Sequence, residues 1–195
     1  METATRLASE RRQAHSSGHI LGVAEGYVCV MHSSNVVVAW ALAVHDGLDA
    51  AAGVSGLRAR EVAALTLVRE HDGCSVDWLH ERVGLTQSGT VRLVDRLVDR
   101  ELLKRGAPLG RMIPLHVTRA AETLLESWQA ARDDVVAGAT AGLSAAERAD
   151  LASVMAATLQ AQQRSRSKAD ATCRTCTWSW CGDDCPVDRS VHESA

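Results

Sequence analysis

The sequence predicts a mainly α-helical fold with one small β-ribbon, and three observations lead there. The chain of 195 residues is 46% hydrophobic, yet it holds no Phe and only 3% aromatics. Leu, Val and Ala must therefore build the core, which favours packed helices over a β-sandwich. Caps and stops divide most of the chain into helical lengths, and only residues 103–117 carry a period-two alternation.

Residues 1–33 have mixed polarity and weak periodicity and read as an N-terminal arm. Ser33-Ser34-Asn35 is a plausible cap for a helix from about 35 to 52, ended near Gly53. Arg58 to Asp72 is the next helix, with Val62, Leu65 and Val68 inward. A short helix from Ser75 to Val83 follows, closed by Gly84, and Thr86 caps its successor. That successor carries Val91, Val94 and Val98 on one stripe with Leu93 and Leu97 beside it. Arg92, Arg96 and Arg100 repeat every fourth residue on another face.

Leu103–Gly106 and Met112–Val117 read as short strands joined through Ala107-Pro108-Leu109-Gly110. Pro114 has no N–H to give a ladder, so the ribbon belongs at an edge. Thr118 opens a long helix to about Thr140. Ser144-Ala145-Ala146-Glu147 is a capping box for a last helix to about Gln163, with Leu151, Val154, Met155 and Leu159 as its buried face. Residues 164–172 are polar and basic and read as a linker; 173–186 form a Cys-rich tail.

Helix, helix, helix and β-ribbon in series make a winged helix-turn-helix lobe over 58–117. Residues 34–57 and 118–163 are left as a helical dimerisation region. Such a lobe grips duplex DNA when short polar side chains at a helix N-terminus reach base edges and flanking cations hold phosphates. Gln87, Ser88 and Thr90 lie in the first turn, and Gln can pair with adenine in bidentate fashion. Arg92 and Arg96 extend from the same helix, while Arg105 and Arg111 flank the wing tip. The net charge is −3, but six cations from Arg92 to Arg111 face only Asp95, Asp99 and Glu101. The competing reading is a solvated Arg face on an ordinary helical core; the agreement of independent local signals weighs against it.

The run Arg92-Leu93-Val94-Asp95-Arg96-Leu97, then Glu101-Leu102-Leu103-Lys104-Arg105, Arg111, Leu115-His116-Val117-Thr118 and Gly142-Leu143-Ser144-Ala145-Ala146-Glu147 resembles the MarR family of winged-helix transcription regulators over about residues 34–163. The resemblance implies a homodimer whose terminal helices interlock, with one winged helix on each half of a pseudo-palindromic operator. It also implies that Asp95 orients arginines of the wing or recognition helix. Leu109 and Arg119 stand where the family often has acidic residues, which leaves the wing tip open.

The tail, Cys173-x2-Cys176-x4-Cys181-x3-Cys185-Pro186, lies outside the general MarR pattern. Four soft thiolates suit a [4Fe–4S] cluster or a tetrahedral Zn²⁺, and a thiol–disulfide switch is the third reading. The close spacing requires one compact centre, and Trp178 and Trp180 lie inside the loop. Cys29 and Cys74 read as buried small hydrophobes, and the histidines show no metal-ligand spacing.

The function expected is a sequence-specific DNA-binding regulator, homodimeric, with a cysteine centre, foremost a [4Fe–4S] redox or gas sensor, modulating operator binding. A structural zinc with a small-molecule effector is the alternative, and a non-DNA-binding interaction or electron-transfer protein the further one. An enzyme is not expected, since there is no Ser-His-Asp arrangement, HExxH or phosphate-cradling glycine loop. The run Val36–Val44 is about half of the roughly 20 residues a spanning helix needs, so no membrane association is expected and a cytoplasmic location is.

Overall fold

The computed structural model describes residues 24–192, with side chains from residue 32 onward. The expected arm, up to residue 23, lies outside the described residues, as does the side chain of Cys29. The elements in order are α1 (Ala24–Val54), α2 (Ala59–Glu70), α3 (Val76–Val83), α4 (Gln87–Asp99), β1 (Leu103–Arg105), β2 (Leu115–Val117), α5 (Arg119–Ala139), α6 (Ala145–Gln160), α7 (Arg166–Thr172) and α8 (Trp178–Cys181). Two 3₁₀ turns, Gly182–Asp184 and Asp188–Ser190, complete the tail. The fold is mainly helical with a two-stranded sheet, as expected from the sequence. The chain divides into two compact units, Met1–Ala43 and Val44–Ala195.

In the first unit, the described residues are helical. Val36, Val37, Val38 and Leu42 are all more than half exposed. The expected helix start at Ser33-Ser34-Asn35 is corrected: α1 begins at Ala24 and runs through those residues. Polar residues that favour caps do not break a helix when the flanking residues sustain it. The stretch His32–Val54, of mean hydropathy 1.3, is long and apolar enough by length and composition to cross a membrane, more than the shorter run Val36–Val44 suggested. It carries Asp46 and Asp49; a charged group at a bilayer centre costs about 3 kcal/mol on insertion scales.

In the second unit, α2 supplies the centre of the core: Val62, Leu65, Leu67 and Val68 are at most 1% exposed. Around them pack Leu79 and Val83 of α3, Leu93, Val94 and Leu97 of α4, Leu115 of β2, and Leu125 and Trp128 of α5. The buried stripe of α4 is therefore Thr90, Leu93, Val94 and Leu97, and Val91 is 41% exposed rather than inward. β1 and β2 pair antiparallel in the register Leu103 with Val117, Lys104 with His116 and Arg105 with Leu115. The loop before α3 adds a third line of pairing: the Gly73 N–H donates to the Leu115 carbonyl, and the Leu115 N–H to that of Cys74. Leu109 and Met112 bridge at the wing tip.

Two expectations for the C-terminal half change. α6 has its capping box, with the Ser144 N–H donating to Glu147 Oε2 at 2.8 Å, but no residue of α6 is buried and Val154 is 63% exposed. Among the described residues nothing covers its apolar side chains fully: Val154 is exposed and Leu151, Met155 and Leu159 are half-buried. Residues 164–172 are no linker: Arg164 is buried, Ser165 caps α7, and Ala169 and Asp170 are buried in it.

Candidate nucleic-acid interface and cysteine cavity

The turn between α3 and α4 is set by two caps and a glycine. Ser75 Oγ accepts the Trp78 N–H to start α3, and Gly84, at φ +70°, turns the chain out of it. Thr86 Oγ1 accepts the Gly89 N–H to start α4. The first turn of α4 is thereby exposed, with Gln87 and Ser88 facing outward and Arg92 and Arg96 along the same helix. Gln87 is pre-oriented by its carboxamide N–H, which donates to Asp77 Oδ1 at 3.0 Å. Thr90 is the correction: it is fully buried and its hydroxyl donates to the Thr86 carbonyl, so it braces the helix start and presents nothing to a base.

The Arg105 guanidinium on β1 lies 2.6 Å from Asp95 Oδ1 on α4, which ties the wing's root to the recognition helix. Arg111 is exposed at the wing tip and, like Arg92 and Arg96, forms no ion pair among the described residues. Arg100, the last of the Arg repeat, is engaged inside the protein: it donates to Glu61 Oε2 and to the Gly56 carbonyl.

With this geometry in place, the comparisons acquire meaning. A model of the MarR family matches residues 55–111. The winged lobe is MarR-like. Among solved structures, the YusO protein from Bacillus subtilis is 21% identical, with a TM-score of 0.60 over 71% of this chain and 98% of its own. The apo form of MarR from E. coli is 18% identical, with a TM-score of 0.56 over 65% of this chain and 96% of its own. The Mycobacterium tuberculosis MarR family protein Rv2887, solved in complex with DNA, is 17% identical, with a TM-score of 0.54 over 63% of this chain and 93% of its own. No curated protein matches the sequence. The fold is thus the MarR winged helix.

Beyond the MarR-like lobe, the tail brings its four cysteines to one cavity of about 290 Å³, all four as free thiols. Cys173 lies against Cys176 and Cys185, and Cys181 against Cys185. The hydrogen bond from Cys173 pulls the Cys176 thiol down to about 7, with help from Arg132 and Arg174 against the effect of burial. The same bond, with burial, pushes Cys173 well above the ordinary thiol range. Burial also raises Cys181. Yet among the described residues no three His, Cys, Asp or Glu side chains are arranged to hold a metal ion. A single zinc would draw its thiolates to about 2.3 Å from one point. Four thiols at one cavity are the donor chemistry that either a [4Fe–4S] cluster or a tetrahedral zinc would require.

The other walls of the cavity come from residues that the sequence did not single out: Trp78 and Arg82 of α3, Arg166 and Asp170 of α7, and His71. The i, i+4 spacing of Arg166 and Asp170 after a Ser165 cap was a readable helix signal. The burial of Arg82 had none. Trp178 lines the cavity while Trp180 is 68% exposed, so only the first shields it. Asp183 and Asp184 are not on its wall, and Asp184 pairs with Arg189.

A second cavity of about 370 Å³ lies between the end of α1, α2 and α5, with His45, Arg60, Trp128 and Arg174 on its wall. Trp128 is 3% exposed and its indole N–H has no hydrogen-bond partner. Arg174 and Thr175, between two cysteines of the first cavity, close this one.

Proposed function

We propose that this protein is a MarR-like transcription regulator that binds a DNA operator as a homodimer and answers to its cysteine cavity. The observation that carries the DNA reading is the exposed first turn of α4, with Gln87 and Ser88 outward, beside a wing tied to it by Asp95–Arg105. Gln87 and Ser88 would read base edges, while Arg92, Arg96, Arg105 and Arg111 hold phosphates or enter the minor groove. The likeness to a MarR family protein solved with DNA supports the same reading. The experiment is selection from a random duplex library, followed by binding titrations at several salt concentrations. Enrichment of an inverted repeat and a steep fall in affinity with salt are expected. Absent or sequence-blind binding would favour an interaction or electron-transfer role.

We propose further that Cys173, Cys176, Cys181 and Cys185 hold a [4Fe–4S] cluster, which would supply sensitivity to oxidants or small gases. Iron and acid-labile sulfide in anaerobically purified protein would support it; one zinc per chain and no colour would make the tail a staple. Either result leaves the DNA reading standing.

The second cavity favours one alternative signal, a small organic anion near Arg60 and Arg174. Rv2887 has been solved with salicylic acid, a molecule of that chemical class. Release of DNA by such an acid from a variant lacking the tail cysteines would favour this effector over the cluster.

A further inference from the structure

The cysteine cavity shares a wall with the helix that precedes the recognition helix. Arg82 of α3 is 7% exposed and Asp170 of α7 is 2% exposed, and they join at 2.8 Å from Nε to Oδ2. Arg166 occupies the other oxygen of Asp170 at 2.8 Å, so the carboxylate is held from both sides. The Arg82 guanidinium also donates to the Trp78 carbonyl and sits 4.0 Å over the Trp78 ring. Trp78 stacks on His71 at 4.3 Å, His71 meets Trp178 edge-on at 5.9 Å, and the Trp178 indole N–H donates to the Cys173 carbonyl. These contacts run in one chain from Asp170 through α3 to the Cys173 backbone along the wall of the cavity, and half of it belongs to the helix-turn-helix.

α3 is short, and its buried residues are Leu79, Arg82 and Val83. Leu79 and Val83 seat it in the core, and Arg82, the third, seats it against the tail through the ion pair. Removing one member of a buried pair leaves the other uncompensated, which is strongly destabilising. α3 in turn sets α4, through the Gly84 turn and through Asp77, which holds Gln87. Among the described residues, α6 supplies none to the cavity wall.

We infer that the state of the four-thiol cavity is transmitted to the DNA-reading surface through α3 of the same chain, with the Arg82–Asp170 pair as the positioning element. Helix α7, ending one residue before Cys173, carries Asp170 on its buried face, so a change in the cysteine turn displaces the carboxylate that seats α3. The inference rests on the cavity being the regulatory centre proposed above. It needs no movement of one lobe of a dimer against the other.

The test uses full-length, metal-free protein whose thiols are alkylated with iodoacetamide and located by mass spectrometry, with amide hydrogen exchange as the readout. Alkylation of the four tail thiols is expected to speed exchange in α3 and the start of α4 by about tenfold. Asp170→Asn should show that faster exchange beforehand and gain less than about twofold on alkylation, because the two changes act through one contact. Unchanged exchange in α3 after complete alkylation would overturn the inference. So would a full-sized effect in Asp170→Asn. If Asp170→Asn fails to fold by circular dichroism, Arg82→Lys, which keeps the charge and loses the fork, replaces it in the same cycle. Iron and sulfide analysis separates the two readings. Iron present with α3 indifferent removes the coupling; iron absent with α3 responsive removes the cluster and keeps the coupling.

Discussion

Gln87 and Arg111 face outward from different elements, and their expected contributions to DNA binding differ in kind. In the proposed complex Arg111 at the wing tip would meet phosphate or groove, so Arg111→Ala should weaken binding to all duplexes and reduce the salt slope by about 1 per site. In the proposed complex Gln87 would face bases, so Gln87→Ala should cost about 1–3 kcal/mol on the preferred site and little elsewhere. Competition titrations with selected and scrambled duplexes would read both. Cys74 makes a third residue-scale prediction, on stability. It is 7% exposed, and burial pushes its thiol from 9.0 to about 12. The thiol is neutral in both states at pH 7. Between pH 9 and about 12 the unfolded chain gives up the proton and the native state keeps it, so native stability falls across that window. Cys74→Ala should therefore cost about 1–2 kcal/mol at pH 7, from lost packing, and progressively less as the pH rises through the window. Urea titrations of both proteins at pH 7 and pH 10.5 would show whether the gap narrows.

At the scale of elements, the helix-turn-helix depends on its turn. Gly84 sits at φ +70°, where a Cβ would be strained and would meet the Arg60 guanidinium at 2.9 Å. Gly84→Ala should cost about 1–2 kcal/mol, seen as a lower Tm, and should also weaken DNA binding, since the turn aims α4. The elements themselves were legible wherever the deciding physics was local. Ser75, Thr86, Thr118 and Ser144 each accept the backbone N–H that a cap should, and the helices they open begin where the sequence indicated. The period-two pattern located only the second half of the strand expected over Met112–Val117: β2 is Leu115–Val117, and Ile113 is 43% exposed outside it. Legibility ended where contacts span long stretches of sequence. The polar run after Arg164 looked like a linker because its seat, Arg82, lies 88 residues before Asp170. Thr90 looked like a base reader because its position in the first turn gives no sign of which way the helix rolls. The close spacing foretold that the four cysteines lie together, as they do at one cavity, but not the helix-turn-helix residues on its wall.

At the scale of the whole molecule, the chain leaves apolar surface uncovered that a stable regulator would bury. Val37 of α1 is 64% exposed and Val154 of α6 is 63% exposed, and α6 buries no residue at all. A polar solvent-exposed helix would have no reason for Leu151, Val154, Met155 and Leu159 at helical spacing. A second copy of the chain is the cover that the MarR likeness leads one to expect, and the interface is then built from the same helices on both sides. Val37→Asp and Val154→Asp each place a charge on that surface in both copies. Each should turn a dimer into a monomer in sedimentation equilibrium while the winged lobe keeps its fold by circular dichroism. The DNA consequence follows from counting phosphates. Affinity falls with salt in proportion to the phosphates neutralised, so a monomer holding one half-site should show about half the log–log slope of the dimer. A wild-type protein that sediments as a monomer, or variants that stay dimeric with the full slope, would place the partner on some other face. Halved slope together with lost dimerisation would tie the exposed helices to operator binding through the dimer.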